Sequence, residues 1–423
     1  MSSTNENLLR SEAELKLDLA RKKKAEKYKD VGDPIALPGI PIDIKIRGNY
    51  AWIAGSDHTA RKIDLQTGKT TQAYKGHSGP VTSLVFCDKR PGSGEGDLLI
   101  TGSWDKTIKI WDTDTKAVIS STVAHSDFVK TLLVVPSLGL LVSSSSDKSV
   151  RFWDISSPDS SDGLPPVGSI SAHTRPVESL AAYLDVTGTS PHLVLFTADT
   201  MGVINVWDVV RDTTEDRPIW RSTLRDELKY HRTRINEIVY GDGHLWSASS
   251  DETIRLHLDP VPTDAKRKPS PPITHTKAFR AVLPVYLHSK LDSDAFPYLI
   301  AGSGDSIRVY DVFSLDEVEL IKEVEGHWHD VTHLRIWLQE STDGTRKDLW
   351  IISGSLDSTL RKWKLSGLVV PTPPVTEEQN DTPVKNATSG PREQLGLTEE
   401  EEKELAELME DEDAVFGLYM ENY

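Results

Sequence analysis

Three histidines in the run GHWHDVTH (326–333), His327, His329 and His333, are of a type that holds transition metals, with Asp330 beside them as a further donor. Their odd numbering would place all three on one side of an unbroken strand. Other reactive groups are sparse. There is no HExxH and no paired-cysteine motif, and the single cysteine, Cys87, follows the apolar run Leu84-Val85-Phe86. The glycines of Gly92-x-Gly94-x-Gly96 precede no helix, so no helix N-terminus is available to hold a phosphate. Ser, His and Asp do occur together, but at positions that recur along the chain. That recurrence reads as architecture rather than as a catalytic triad, and no catalytic residue, metal or cofactor is expected.

The elements that carry these residues are repeats. LLITGSWDKTIKIWD (98–112) returns as LLVSSSSDKSVRFWD (140–154), VLFTADTMGVINVWD (194–208) and LWIISGSLDSTLRKWKL (349–365). Weaker copies begin at Trp52, Leu245 and Tyr298, making seven. Each copy is an alternating apolar run, a tight Ser/Gly/Asp turn and a second alternating run ending at an aromatic residue or its substitute. A short histidine signal precedes each of the last six, at His77, His125, His173, His231, His275 and His327. The period of about 42–54 residues leaves room for two more strands per copy, which predicts radially arranged four-stranded blades. Polar insertions at 88–97, 156–166 and 259–272 lengthen some copies and fit surface loops.

This pattern resembles the WD40 β-propeller family over roughly residues 31–370. The resemblance implies an all-β, seven-bladed ring. It also implies a hydrogen-bonded chain inside each blade, from the repeat histidine through the turn aspartate and a strand Ser/Thr to the final tryptophan. Blade 2 matches with His77, Thr101, Asp105 and Trp111, blade 3 with His125, Ser143, Asp147 and Trp153, and blade 7 with His327, Ser353, Asp357 and Trp363. Blade 4 has Met201 at the aspartate position, blade 5 has His257 for tryptophan, and blade 6 has Ala301 and Tyr310, so these three are expected to be softer. Blade 1 has Pro38-Gly39 for the histidine signal and Ile63 for tryptophan. Pro34–Leu37 is the expected closing strand of the last blade, with Leu368–Val370 as the alternative. The family's rim positions fall on Trp104, Phe128, Arg175, Arg234, His329 and Leu356, among others, and large aromatic and arginine side chains are good interface anchors. Trp104 and Phe128 form a patch if exposed, and inter-blade packing if not.

Composition narrows the class. Of the net charge of −17, residues 1–30 carry +2, 31–370 carry −7 and 371–423 carry −12. That balance argues against direct nucleic-acid binding. No apolar stretch reaches membrane-spanning length, and the N-terminus has no signal core, so a cytoplasmic or nuclear location is expected. Residues 5–29 read as a charged helical extension with Leu8, Leu15 and Leu19 near one face, and 21–29 or 266–268 could act as import signals. A disordered linker is expected over 371–394 and an acidic tail over 395–423. In that tail Leu405, Leu408 and Met409 stripe a short helix capped at Thr398, and Phe416, Leu418 and Tyr419 belong to an apolar end suited to a linear motif. The expected function is a non-catalytic scaffold or adaptor with a monomeric ring, binding other proteins within a multi-subunit complex. The alternatives are a ubiquitin-ligase substrate receptor, or a propeller enzyme or noncatalytic subunit in RNA modification. WDTD, WDIS and WDVV all lack the arginine of the ligase-adaptor signature, and no residue set carries chemistry.

Overall fold

Each repeat folds as a four-stranded antiparallel sheet, and in blades 1 to 6 the strands pair in simple sequence order from the inner strand outwards. The structure, a computed structural model, describes residues 12–89, 93–157, 163–186, 192–212, 219–259, 270–285, 297–315, 317–340 and 347–370. Within these residues there are seven such sheets. Their inner strands are Pro41–Arg47, Val81–Cys87, Val129–Val135, Val177–Asp185, Ile235–Gly241, Phe279–Pro284 and Val331–Glu340. Successive inner strands lie against one another, and that of blade 7 lies against that of blade 1, so the ring closes. A second strand such as Leu98–Ser103 is buried along its whole length because both its faces are covered by neighbouring blades. Apart from the ring, the helix Glu12–Lys27 ends in a basic turn at the negative end of its dipole, and Leu19 on it is 58% exposed. Residues 1–11 and 371–423, including Leu405, Leu408, Met409, Phe416, Leu418 and Tyr419, lie outside the described residues.

The segment before blade 1 completes blade 7. Ile35 and Ala36 pair with Leu360 and Thr359, and Lys362 N–H donates to Gly32 O at 2.6 Å. Gly32 sits under the Trp363 ring, where a Cβ would be 2.8 Å from the indole. Arg361, 2% exposed, donates to Val31 O. The alternative, Leu368–Val370, forms no strand: Leu368 ends a helical turn, Leu365–Leu368, that buries both leucines.

Within blade 2, His77 Nε2 lies 2.8 Å from Thr101 Oγ1 and His77 Nδ1 2.8 Å from Asp105 Oδ2. Trp111 Nε1 donates to the same threonine at 2.8 Å. Asp105 also ties down its own turn, accepting Thr107 N–H at 3.0 Å and Ser78 N–H at 3.0 Å, while Lys106 takes a left-handed φ of 70°. Blade 3 makes the same bonds through His125, Ser143, Asp147 and Trp153 at 2.8–3.0 Å. Blade 7 does so through His327, Ser353, Asp357 and Trp363 at 2.7–2.8 Å. Burial alone would raise the Asp105, Asp147 and Asp357 pKa values, but hydrogen bonds from histidine and the turn hydroxyl hold all three below the usual carboxylate range.

The other blades depart from this scheme in distinct ways. In blade 4 Thr197 still joins His173 (2.7 Å) and Trp207 (2.9 Å), but the acid facing His173 is Asp199, two residues before Met201 and 3.6 Å away. Blade 5 keeps His231, Ser247 and Asp251 and replaces the tryptophan. There His257 meets Tyr230, which stands where blades 2 and 7 have glycine, with Tyr230 Oη 3.1 Å from His257 Nδ1. The exchange is coupled: a Cβ at Gly76 would be 3.2 Å from Trp111, and one at Gly326 would collide with Trp363, so a large residue fits there only when the indole is gone. In blade 6 His275 Nδ1 bonds Ser303 at 2.7 Å, because Ala301 offers no hydroxyl. Blade 1 anchors its turn acid Asp57 with Arg61 at 2.6 Å in place of a histidine.

Around the central channel a second pattern stitches blade to blade. A register shift near the start of each inner strand frees one N–H from the ladder. Asp43, Ser83, Ser179 and Glu237 accept that N–H from the next blade, at Leu84, Leu132, Ile238 and Val282 respectively, over 2.9–3.1 Å. Blade 6 has Ala281 in this place and no acceptor. Arg335 of blade 7 reaches past it to Glu237 of blade 5 at 2.9 Å and also donates to Ile44 O of blade 1 at 2.8 Å.

Candidate functional site

Inner strands start at one end of the ring and second strands return to it. The loops that precede inner strands and the turns that follow second strands therefore share one rim, and they carry Trp104, Phe128, Arg175, Arg234, His329 and Leu356. Trp104, in a turn of blade 2, and Phe128, before the inner strand of blade 3, stack with ring centroids 5.0 Å apart and planes 18° from parallel. Both are half-buried, so the pair packs across the blade boundary and still presents surface. Arg175 in blade 4 is exposed. Arg234 of blade 5 turns to Glu178 of blade 4 at 2.9 Å, and the same carboxylate takes Lys130 of blade 3 at 3.2 Å. Burial works against the charged form of Glu178, yet these two cations hold its pKa below the normal value. His329 and Leu356 are half-buried neighbours in blade 7, where Leu356 N–H donates to Asp330 O and Ser355 Oγ to His329 O.

The structure separates the histidines of the 326–333 run. The strand starts only at Val331 and shifts register between Val331 and His333, so it is not the unbroken strand that odd spacing assumes. His327 is committed to Asp357 and Ser353. His329 stays in the rim loop, accepting Asp330 N–H on Nδ1 at 2.8 Å. His333 belongs to the channel wall, where burial, followed by the nearby Arg335, pushes its imidazole down to about 3. Among the described residues no group of three or more His, Cys, Asp or Glu side chains is arranged to hold a metal. Cys87 is buried, and its thiol is pushed up to about 12 by burial and then by Asp88, the opposite of an activated nucleophile.

Several rim and channel residues escaped the sequence reading. Glu178, Lys130 and Arg280 occupy the second place of inner strands, where alternation alone does not tell the channel mouth from a blade face. Arg280 pairs with Asp330 of blade 7. Trp328 lies beside His329, rings 6.2 Å apart, and its only sequence signal is proximity to the repeat histidine.

Comparison with known proteins follows the same lines. The family described as "WD domain, G-beta repeat" matches residues 68–112 and 117–154, which hold the networks of blades 2 and 3. The chain carries WD40 repeats within a seven-bladed β-propeller. An uncharacterized WD repeat-containing protein of Schizosaccharomyces pombe is 27% identical over 365 residues, covering 85% of this chain and 84% of that protein. The pre-mRNA-processing factor 19 homolog 2 of Arabidopsis thaliana is 31% identical over 176 residues, 41% of this chain and 30% of the relative. The crystal structure of the computationally designed Ika8 protein superposes with a TM-score of 0.51 at 19% identity, covering 77% of this chain and 83% of the design, a likeness of fold. A WD40 ring of this kind is in general terms a protein-interaction scaffold with protein partners in complexes. No described helix is long and apolar enough to cross a membrane.

Proposed function

We propose that this WD40 protein is a non-catalytic adaptor subunit of a multi-subunit assembly in the cytoplasm or nucleus. Partner proteins dock on the rim at Trp104, Phe128, Arg175, Arg234, His329 and Leu356, and the acidic tail with Leu405, Leu408, Met409, Phe416, Leu418 and Tyr419 adds a tethered second contact. The observation that carries this reading is the Trp104–Phe128 stack: two large rings packed face to face across a blade boundary, each still partly open to solvent. Such preorganised aromatic surface costs little entropy to bury on binding. The non-catalytic part is supported by the commitment of the Ser, His and Asp side chains to blade interiors.

Affinity purification with mass spectrometry tests the proposal, comparing the full chain, a chain ending at Val370 and the Trp104→Ala/Arg175→Glu double variant. The expected result is a stable partner set that loses different members in the two variants. A folded double variant that keeps every partner would remove the rim from the proposal, and no stoichiometric partner in any sample would sink the adaptor reading itself.

A further inference from the structure

The rim is uneven in charge, although the ring as a whole is acidic. On the arc of blades 4 to 6 three rim acids turn inward, whereas Glu227 at the outer edge, its side chain 45% exposed, pairs with Lys229. Asp199 and Asp251 are 4–5% exposed and face His173 and His231, and the Glu178 side chain is 8% exposed beneath Lys130 and Arg234. The cations of the same loops turn outward. Arg175 is exposed and has no ion-pair or hydrogen-bond partner among the described residues, Arg232 is exposed, and the Arg234 and Lys277 side chains are 37% and 45% exposed. Asp305, opposite Lys277, is 13% exposed at 3.4 Å. Glu252 is the exposed acid of these loops and turns. Next along the ring, on the blade 3 side, stands the Trp104–Phe128 pair.

We infer that this arc binds an acid-rich segment of a partner protein, with an apolar residue of that segment seated on the Trp104–Phe128 step. The inference rests on the adaptor reading and adds the chemistry of the partner. With the carboxylates set back and the cations standing out, a short acidic segment that comes within about 8 Å meets guanidinium and ammonium groups first and is little affected by distant charge. A long polyphosphate is different, because it also meets the −7 of residues 31–370 and is repelled. Arginine suits carboxylates through its paired donors, and an aromatic step gives such a peptide a register that charge alone does not supply.

The test selects from a display library of degenerate 12-residue peptides against the full chain, followed by titration of the enriched peptides as labelled synthetic probes. The variants are Arg175→Glu/Lys277→Glu, at exposed positions outside the blade networks, and Trp104→Ala, with circular dichroism as the folding control. Enrichment of Asp/Glu-rich peptides bearing one large apolar residue is expected. Their affinity should fall at least tenfold in the charge-reversal variant and weaken with salt, and the apolar preference should vanish with Trp104→Ala. Enriched peptides that are neutral or basic and lost with Trp104→Ala would overturn the acidic partner while leaving the rim as an interface. Peptides indifferent to every rim variant, or no enrichment at all, would overturn both. A single-stranded oligonucleotide of equal charge that binds as tightly as the peptides would also overturn it, in favour of a nucleic-acid surface.

Discussion

In blade 2 an indole lies against a glycine and donates to a threonine; in blade 5 an imidazole lies beside a phenol at the equivalent places. Both arrangements fill the gap between a blade's third strand and the loop that leads into the inner strand of that same blade. They differ in what they join. Trp111 is 1% exposed and completes a chain running through Thr101 and His77 to Asp105, so its packing and the turn geometry are coupled. His257 is half-buried and, among the described residues, bonds sideways to a tyrosine that is itself 37% exposed. The repeat is therefore a set of local solutions, and its tryptophan is required only where a network depends on it.

The largest effect should come from removing the indole. Trp111→Ala is expected to cost about 3–5 kcal/mol in urea unfolding, through lost burial and an open cavity, and His257→Ala at most about 1–2. Equal losses would erase the distinction between the blades. Thr101→Val should cost about 2–4 kcal/mol despite its similar shape, because it strands a buried histidine nitrogen and a buried indole N–H together. A double-mutant cycle probes the exchange in blade 5. Tyr230→Gly should leave a void and His257→Trp should clash, while the pair together is expected to recover about 1–3 kcal/mol relative to their sum. Strict additivity would show that the two residues were not coupled.

Acid titration gives the smallest and most specific contrast. The Asp105 pKa is depressed in the fold, so its contribution is present above the unfolded value near 4 and is lost as pH falls through the folded value. Asp259, just after the third strand of blade 5, is raised by burial. Its contribution has the opposite sign, full below the unfolded value and lost as pH rises through the folded one. Asp105→Asn should therefore lower stability at pH 7 and flatten the loss below pH 4. Asp259→Asn should raise stability by under about 1 kcal/mol at pH 7 and change nothing at pH 3. Matching pH profiles for the two variants would contradict the assigned environments.

The ring itself was legible because period-2 alternation, turn chemistry and the His–Asp–Trp spacing all repeat in phase. Blade 4 shows where such reading fails. Counting from the tryptophan lands on Met201, but the backbone places Asp199 near His173, and spacing does not reveal which residue of a turn points inward. Rim positions were legible as positions, since topology alone sets which loops share an end. Their charge was not, because whether Glu178 or Arg234 faces solvent depends on partners three blades wide. The histidine run could not be placed from its spacing for a local reason: one register shift at the start of a strand sends His329 and His333 to different surroundings.

Closure of blade 7 by the segment before blade 1 has a consequence for synthesis. Val31 and Arg361, which hold the seam, are 330 residues apart in the chain. At about 5–20 residues per second, the leading segment waits many seconds on the ribosome before its partner strand exists. Throughout that interval the growing arc has two open strand edges, so each nascent chain offers a template for pairing with another. The steps that finish the molecule are thus among the last to occur, and cellular helpers that shield unpaired edges would act most usefully just before Leu360 emerges.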